Sequence, residues 1–257
     1  RIHHNVCFNM NSINPDLKIA KGAEIIKSKG DRHWIVNNTL LNIAGVGIGV
    51  PAQFPDGQRG PEFWKSFEAE GNSVSRFNVK TITRNNVCRL IASSREVRDA
   101  EAGKLPPAGI VDHNVREDAA RHLRDPDNHD IRPKAHGELV GTGIYIEGIT
   151  PRELKGKAID IGAYQHDCTE YWIPGFQEGK ASKPIPADGA SNAKRDADLM
   201  WLGGYGGEAY DVYFGFDRGA VAAAGRSSSE FHGRQSTNIH TPPRLPAQTP
   251  CFWRIDT

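Results

Sequence analysis

The stretch DLKIAKGAEIIKSKGDRHW, residues 16–34, gathers the groups of this chain best suited to chemistry on an anionic substrate. It carries Lys18, Lys21, Lys27, Lys29, Arg32 and His33, interleaved with Asp16, Glu24 and Asp31. An ammonium or guanidinium neutralises a carboxylate, and an imidazole carries a proton near neutral pH. The competing reading is a solvated, charged outer face. A further use of the carboxylates, hydrolysis by paired acids, requires two of Asp16, Glu24 and Asp31 to lie roughly 5 to 10 Å apart.

Other chemistry-bearing clusters carry less. His3 and His4 could ligate a metal, but neighbouring residues of a strand point to opposite faces, so ladder or surface packing is expected. DPDNHD, residues 125–130, places Asp125, Asp127, Asn128 and Asp130 as a Ca²⁺ loop would. It lacks the Gly at the sixth position, and His136 stands at the twelfth in place of Glu, so it reads as a turn entering the next strand. KAIDIGAYQHDCTEYWIPG, residues 157–175, packs Asp160, Tyr164, His166, Asp167, Cys168, Glu170 and Tyr171 together and poses a choice between a catalytic cluster and the end of a structural unit. GxGxxG, P-loop, GxSxG and HExxH motifs do not occur, and GGYGG at 203–207 is not followed by a helix start.

The elements that must position these groups show in a short recurring pattern: HHNVC at 3–7, VNNTL at 36–40, RNNVC at 84–88 and DHNVR at 112–116. The central residues are Asn5, Asn38, Asn86 and Asn114, unevenly spaced. In stacked β coils, an Asn at one corner can bond the backbone and the Asn above and below it, satisfying buried polar groups as a ladder. Asn also tolerates the left-handed conformation of a tight corner. HWIVNNTLLNI and SRFNVKTITRNNVCRLI supply the β-branched and aromatic residues of strands on either side. Cys7 and Cys88 hold the same place in their repeats and read as core residues. The pattern predicts an all-β chain beginning with a parallel β-helix.

Two stretches interrupt that pattern. VPAQFPDGQRGPEF, residues 50–63, reads as an inserted loop, and SSREVRDAEAGKLPPAG, residues 93–109, as one short helical turn before its Pro pair. From residue 176 to 195 the chain is polar, small and Pro-containing, as in a linker. Beyond it, DLMWLGGYGGEAYDVYFGF and CFWRIDT read as strands of a small β-sandwich over 196–257.

With 257 residues the chain can bury one large core or two modest ones. Lys and Arg total 32 against 31 Asp and Glu, a balance that gives no electrostatic footprint for nucleic acid. No apolar run reaches the roughly 20 residues that span a bilayer, so a soluble chain without a membrane span is expected. The four Cys form no CxxC pair and no dense framework. RIHHNVCFN at the start has no signal-peptide layout, and further coils are expected upstream of it.

Residues 130–175 resemble the end of a right-handed parallel β-helix of the pectate-lyase-like superfamily. Asp130, Ile131, Arg132, Pro133 and Lys134, then Gly156, Lys157, Ala158 and the run Asp160 to Tyr164, carry the likeness. Residues 196–257 resemble a fibronectin type III-like module of secreted carbohydrate-active enzymes, through Leu199, Trp201, Tyr210, Val212, Tyr213, Gly215 and Trp253. The departures in the first region are HGELVGTG and Gln165, and in the second Cys251 and Phe252 at the corner before the last Trp strand, the latter pair suggesting a truncated module. The resemblances imply 1–175 as the C-terminal part of a β-helix, 176–195 as a linker and 196–257 as an incomplete sandwich. They also imply secretion or surface exposure, and a polysaccharide partner with lyase or glycoside hydrolase activity on an acidic polymer. The alternative is a noncatalytic extracellular glycan-binding or structural protein.

A lyase of this kind needs a cation on the uronate carboxylate, a base for the adjacent proton and an acid for the leaving oxygen. The resemblance allows Ca²⁺ as that cation and assigns no metal ligands. Lys27, Lys29 or Arg32 would be base or carboxylate clamp, with His33 as proton shuttle and Lys18, Lys21 and Glu24 as substrate contacts. Under the same resemblance, 157–175 closes the last coil: Ile161 and Ala163 turn into the core, Gly162 relieves crowding, and Tyr171, Trp172 and Ile173 cover the exposed end.

Overall fold

The structure, a computed structural model, describes residues 1–8, 25–27, 31–51, 78–93, 97–103 and 106–257. Among these the chain is all-β, with parallel and antiparallel sheets, short α-helices α1 (Val97–Glu101) and α2 (Arg218–Ala223), and single 3-10 turns. Helix α1 falls in the stretch expected to hold one helical turn. The chain divides into two compact units. The first comprises Arg1–Leu123 and Arg132–His166, and the second Arg124–Ile131 and Asp167–Thr257.

The first unit is built from strands of two or three residues paired in parallel. One sheet orders β1 (Ile2–His3), β4 (Trp34–Val36), β7 (Ile82–Arg84) and β9 (Ile110–Asp112). A second pairs β2 (Val6–Phe8) with β5 (Thr39–Leu41), and single bridges carry it on from Thr39 to Val87 and Val115. A third orders β3 (Ile26–Lys27), β6 (Ile48–Gly49) and β8 (Ile91–Ala92). Residues of all three sheets meet in one core of Ile26, Ile35, Leu40, Ile43, Ile48, Val50, Cys88 and Ile91. Of the two repeat cysteines, Cys88 is a core residue, and Cys7, half-buried and paired with Leu40 in register, packs against that core.

The Asn ladder forms as the sequence pattern predicts. The Asn5 amide donates to Asn38 Oδ1 at 2.9 Å, Asn38 to Asn86 at 2.8 Å and Asn86 to Asn114 at 2.9 Å, across gaps of 33, 48 and 28 residues. Each acceptor oxygen also takes the backbone N–H of the preceding ladder residue, at 3.0 to 3.1 Å. Asn38 and Asn86 are fully buried, so these bonds replace water at groups that are costly to leave unpaired. The left-handed corner lies one residue earlier than expected. It falls on His4, Asn37, Asn85 and His113, with φ of 53, 54, 55 and 49°. Asn and His are among the few side chains that enter this region readily, which explains the paired Asn-Asn and His-Asn spelling.

The run 159–163 closes against this stack. Ile159 and Ile161 are buried, the Gly162 N–H donates to Asn85 O at 2.9 Å, and the Ala163 N–H donates to Thr39 Oγ1 at 2.9 Å. At Gly162, with φ of 112°, a Cβ would lie 2.8 Å from Thr39 Oγ1, so glycine is required by contact and by conformation. Of the three residues expected to cap the last coil, Tyr171 and Ile173 are buried and Trp172 is 73% exposed, and all three belong to the second unit. Alternation along an extended segment buries 171 and 173 and turns 172 outward.

The β10 (Leu123–Asp125) and β11 (Asp130–Pro133) strands pair around a 3-10 turn at Pro126–Asn128, so DPDNHD is the strand-entering turn predicted for it. The second unit has two antiparallel sheets. One orders β12 (Ser182–Ile185), β13 (Leu199–Leu202) and β16 (Ile239–His240); the other orders β15 (Phe231–Gln235), β14 (Tyr210–Gly215) and β17 (Phe252–Asp256). Strand β12 falls within 176–195, and GGYGG forms the loop from β13 to β14. Leu199 and Trp201 of β13 pack against Phe214, Tyr210 and Val212 of β14, with Trp253 of β17 beside both groups. On the other face of β14, Tyr213 meets Val221 of α2, and Arg254 stacks over the Tyr213 ring at 4.1 Å.

Candidate functional site

The described part of the basic stretch lies at the entrance to the four-stranded parallel sheet. Trp34 pairs with Ile82, and Arg32 and Lys80 each stand two residues before them, so they hold equivalent positions on adjacent passes of the chain. Backbone and side-chain bonds fix the two entrances together. Asp31 Oδ1 accepts the Lys80 N–H at 2.6 Å, the His33 N–H donates to Thr81 Oγ1 at 3.2 Å, and the Ile82 N–H donates to His33 O at 2.8 Å. The Lys80 N–H bond, with the Arg32 N–H and the two nearby cations, holds the Asp31 carboxyl below the usual range. Arg32 is left-handed, with φ of 59°, a conformation costing a non-glycine residue about 1 to 2 kcal/mol.

Arg32 and Lys80 are both exposed and both lie near the Asp31 carboxyl, so this sheet end carries two cations beside one carboxylate. Such cations suit the carboxylates of an acidic polymer. His33, next to Arg32 in the chain, differs in access. It is partly buried, and its Nε2 is closed off from solvent with no hydrogen-bond partner among the described residues.

The remaining predicted residues fall as follows. Lys27 is described through its backbone, in β3 beside Gly49, and so in a different sheet from the one Arg32 and His33 lead into. Lys18, Lys21, Glu24 and Lys29 lie outside the described residues, as does Asp16, which leaves Asp31 as the described member of the three carboxylates. Lys80 was not singled out from sequence. Its signal was its place two residues before a strand, visible only once that strand is paired with the one after Arg32.

Other titratable groups are brought together in the first unit, His122 with Glu117 at 3.3 Å among them. Arg84 on β7 makes a bidentate pair with Asp112 on β9, both bonds 2.7 Å, and His113 Nδ1 lies 3.2 Å from the same carboxylate. The bonds from Arg84 hold Asp112 below the usual carboxylate range, and this arginine is committed to its partner. His3 and His4 do not point to opposite faces, because the left-handed turn at His4 brings their Nδ1 atoms to 3.0 Å. Asp160, 2% exposed, accepts the His166 N–H at 2.6 Å, His166 Nδ1 at 2.8 Å and the Gly141 N–H at 2.9 Å. That carboxylate fixes His166 and ties residue 141 to the closing run.

Among the described residues no group of three or more His, Cys, Asp or Glu is arranged to hold a metal ion. In the 125–130 turn, Asn128 donates to Asp125 at 2.9 Å, and Arg124 lies 3.6 Å from Asp130. Among the described residues no helix is long and apolar enough to cross a membrane. No protein-family model, curated protein or solved structure significantly matches the chain. Its chemistry is therefore read from its own side chains.

Proposed function

We propose that this is a carbohydrate-active protein of the right-handed parallel β-helix type, secreted or held at the cell surface, whose first unit engages an acidic polysaccharide. On this reading the second unit is a fibronectin type III-like sandwich. The observation that carries the reading is the exposed pair Arg32 and Lys80, repeated at one position of adjacent parallel passes. In a lyase, this pair neutralises the uronate carboxylate and so acidifies the adjacent C–H. His33 takes that proton, a C=C bond forms, and the glycosidic C–O bond breaks with its electron pair leaving on oxygen. Proton transfer to His33 Nε2 requires that atom to be uncovered, since it is closed from solvent. A glycoside hydrolase would use the same clamp with water as nucleophile.

The test is incubation of the full chain with polygalacturonate and alginate, following the ultraviolet absorbance of unsaturated uronate and the release of reducing ends. Arg32→Ala and Lys80→Ala are expected to cut turnover about a hundredfold, the scale of losing one preorganised charge contact. Absence of both signals from every polymer would overturn the enzymatic reading. The closed His33 Nε2 favours the remaining one, a noncatalytic extracellular protein that binds the polymer through the clamp without cleaving it.

A further inference from the structure

At both ends of the described Asn ladder, the left-handed corner brings a side chain against the one before it. At one end His113 Nδ1 lies 3.2 Å from Asp112 Oδ1. At the other, His3 and His4 bring their Nδ1 atoms to 3.0 Å, with the rings nearly perpendicular at 88°. The backbone sets this approach, because His4, with φ of 53°, makes the turn that Asn37 and Asn85 make within the stack. Both imidazoles are exposed, so the pair fills no core. The ladder does not use it either, since Asn5 makes the bond to Asn38.

We infer that His3 and His4 form a two-nitrogen chelate for a divalent transition-metal ion, Cu(II) before the others. In the hydrogen bond between them one Nδ1 must accept from the other, so at least one ring is a free base able to bind metal. Two nitrogens 3.0 Å apart, each about 2.0 to 2.1 Å from one ion, subtend about 95° at it. That angle is close to the right angle of tetragonal Cu(II) or Ni(II) and narrower than the tetrahedral angle of Zn(II). Cu(II) also leads the affinity order for nitrogen ligands. To aim both lone pairs at one ion, each ring turns about 40° off the line between the nitrogens, a rotation that the broad χ2 of an exposed His allows. The perpendicular setting keeps the carbon edges of the rings apart, and the remaining positions of the ion are left to water. The chelate shares no residue with the clamp of Arg32 and Lys80 and does not depend on it.

Titration of the full chain with Cu(II) in competition with glycine, followed by electron paramagnetic resonance of the bound ion, tests this. A single Cu(II) is expected to bind above the background of scattered histidines, its spectrum split by two imidazole nitrogens, with Zn(II) bound more weakly. His3→Val and His4→Asn copy Val36 and Asn37, which hold the same places on the next pass, so the corner is kept. Each should weaken Cu(II) binding about tenfold or more, and the double variant little further, because losing one arm already undoes a chelate. No site above background, single variants that bind like the parent, or single losses that add in the double variant would each overturn the inference. So would copper that persists in His4→Asn on backbone amide nitrogens.

Discussion

Gly47 shows how tightly single residues are specified in the first unit. A Cβ there would sit 2.1 Å from Cys88 Sγ and 3.1 Å from Leu40 Cδ2, inside the core shared by the parallel sheets. Gly47→Ala should cost about 1 to 3 kcal/mol in urea unfolding, the range for overpacking, and Cys88→Ala in the same chain should recover much of it. The Cys88 thiol is pushed up to about 12 by burial, so a thiol reagent should label it only on unfolding. In the second unit, Asp211 is buried between Arg226 at 2.6 Å and Arg234 at 3.1 Å, and the bond from Arg226, with that from Arg234, holds its carboxyl below the usual range. A lowered folded pKa contributes stability that is present above the unfolded value, near pH 4, and lost as pH falls through the folded one. Asp211→Asn should therefore lower the melting temperature at neutral pH and flatten its decline on the acid side of about pH 4. An unchanged acid limb would mean that the two arginines do not set that carboxylate.

At the scale of elements, the ladder predicts unequal costs for one chemical change. Asn86 is buried and bonded to Asn38 and Asn114, whereas Asn5 stands exposed at one end of the described ladder. Asn86→Ala should cost about 2 to 4 kcal/mol, because buried Asn38 and half-buried Asn114 lose partners, and Asn5→Ala less than about 1 kcal/mol. Equal losses in chemical denaturation would contradict the ladder. This element was legible in the sequence because one amide both donates and accepts at every level, leaving a spelling that survives uneven spacing. The corner itself was displaced by one residue, since Asn37 and Asn38 are the same residue type in different conformations, and composition does not say which of the two turns. The His3 and His4 geometry was hidden for the same reason: alternation holds within a strand and fails where His4 leaves it. The pair of Asp160 with His166 needed a reversal of the chain over six residues, for which local sequence carries only the glycine at 162.

At the scale of the molecule, the proposed clamp makes binding depend on salt. Raising ionic strength from about 0.05 to 0.5 M shortens the screening length several-fold, which weakens exposed ionic contacts. Binding of polygalacturonate should therefore depend on Arg32 and Lys80 at low salt and fall steeply as salt rises. The all-β class and the change from parallel to antiparallel pairing were readable as a change in spelling, from recurring Asn corners to separated aromatic strands. The positions of Lys80 and Trp172 were not, because each depends on which distant segment lies alongside. Arg254 illustrates what such packing does to an individual bond in the backbone. Its guanidinium donates to the carbonyls of Val221, Ala222 and Ala224 and to Asp256 while lying on Tyr213. A trypsin-like protease must take that side chain into its own pocket, so the peptide bond after Arg254 is hidden in the folded unit. Cleavage at Arg254 would then serve as a clock for the opening of the second unit.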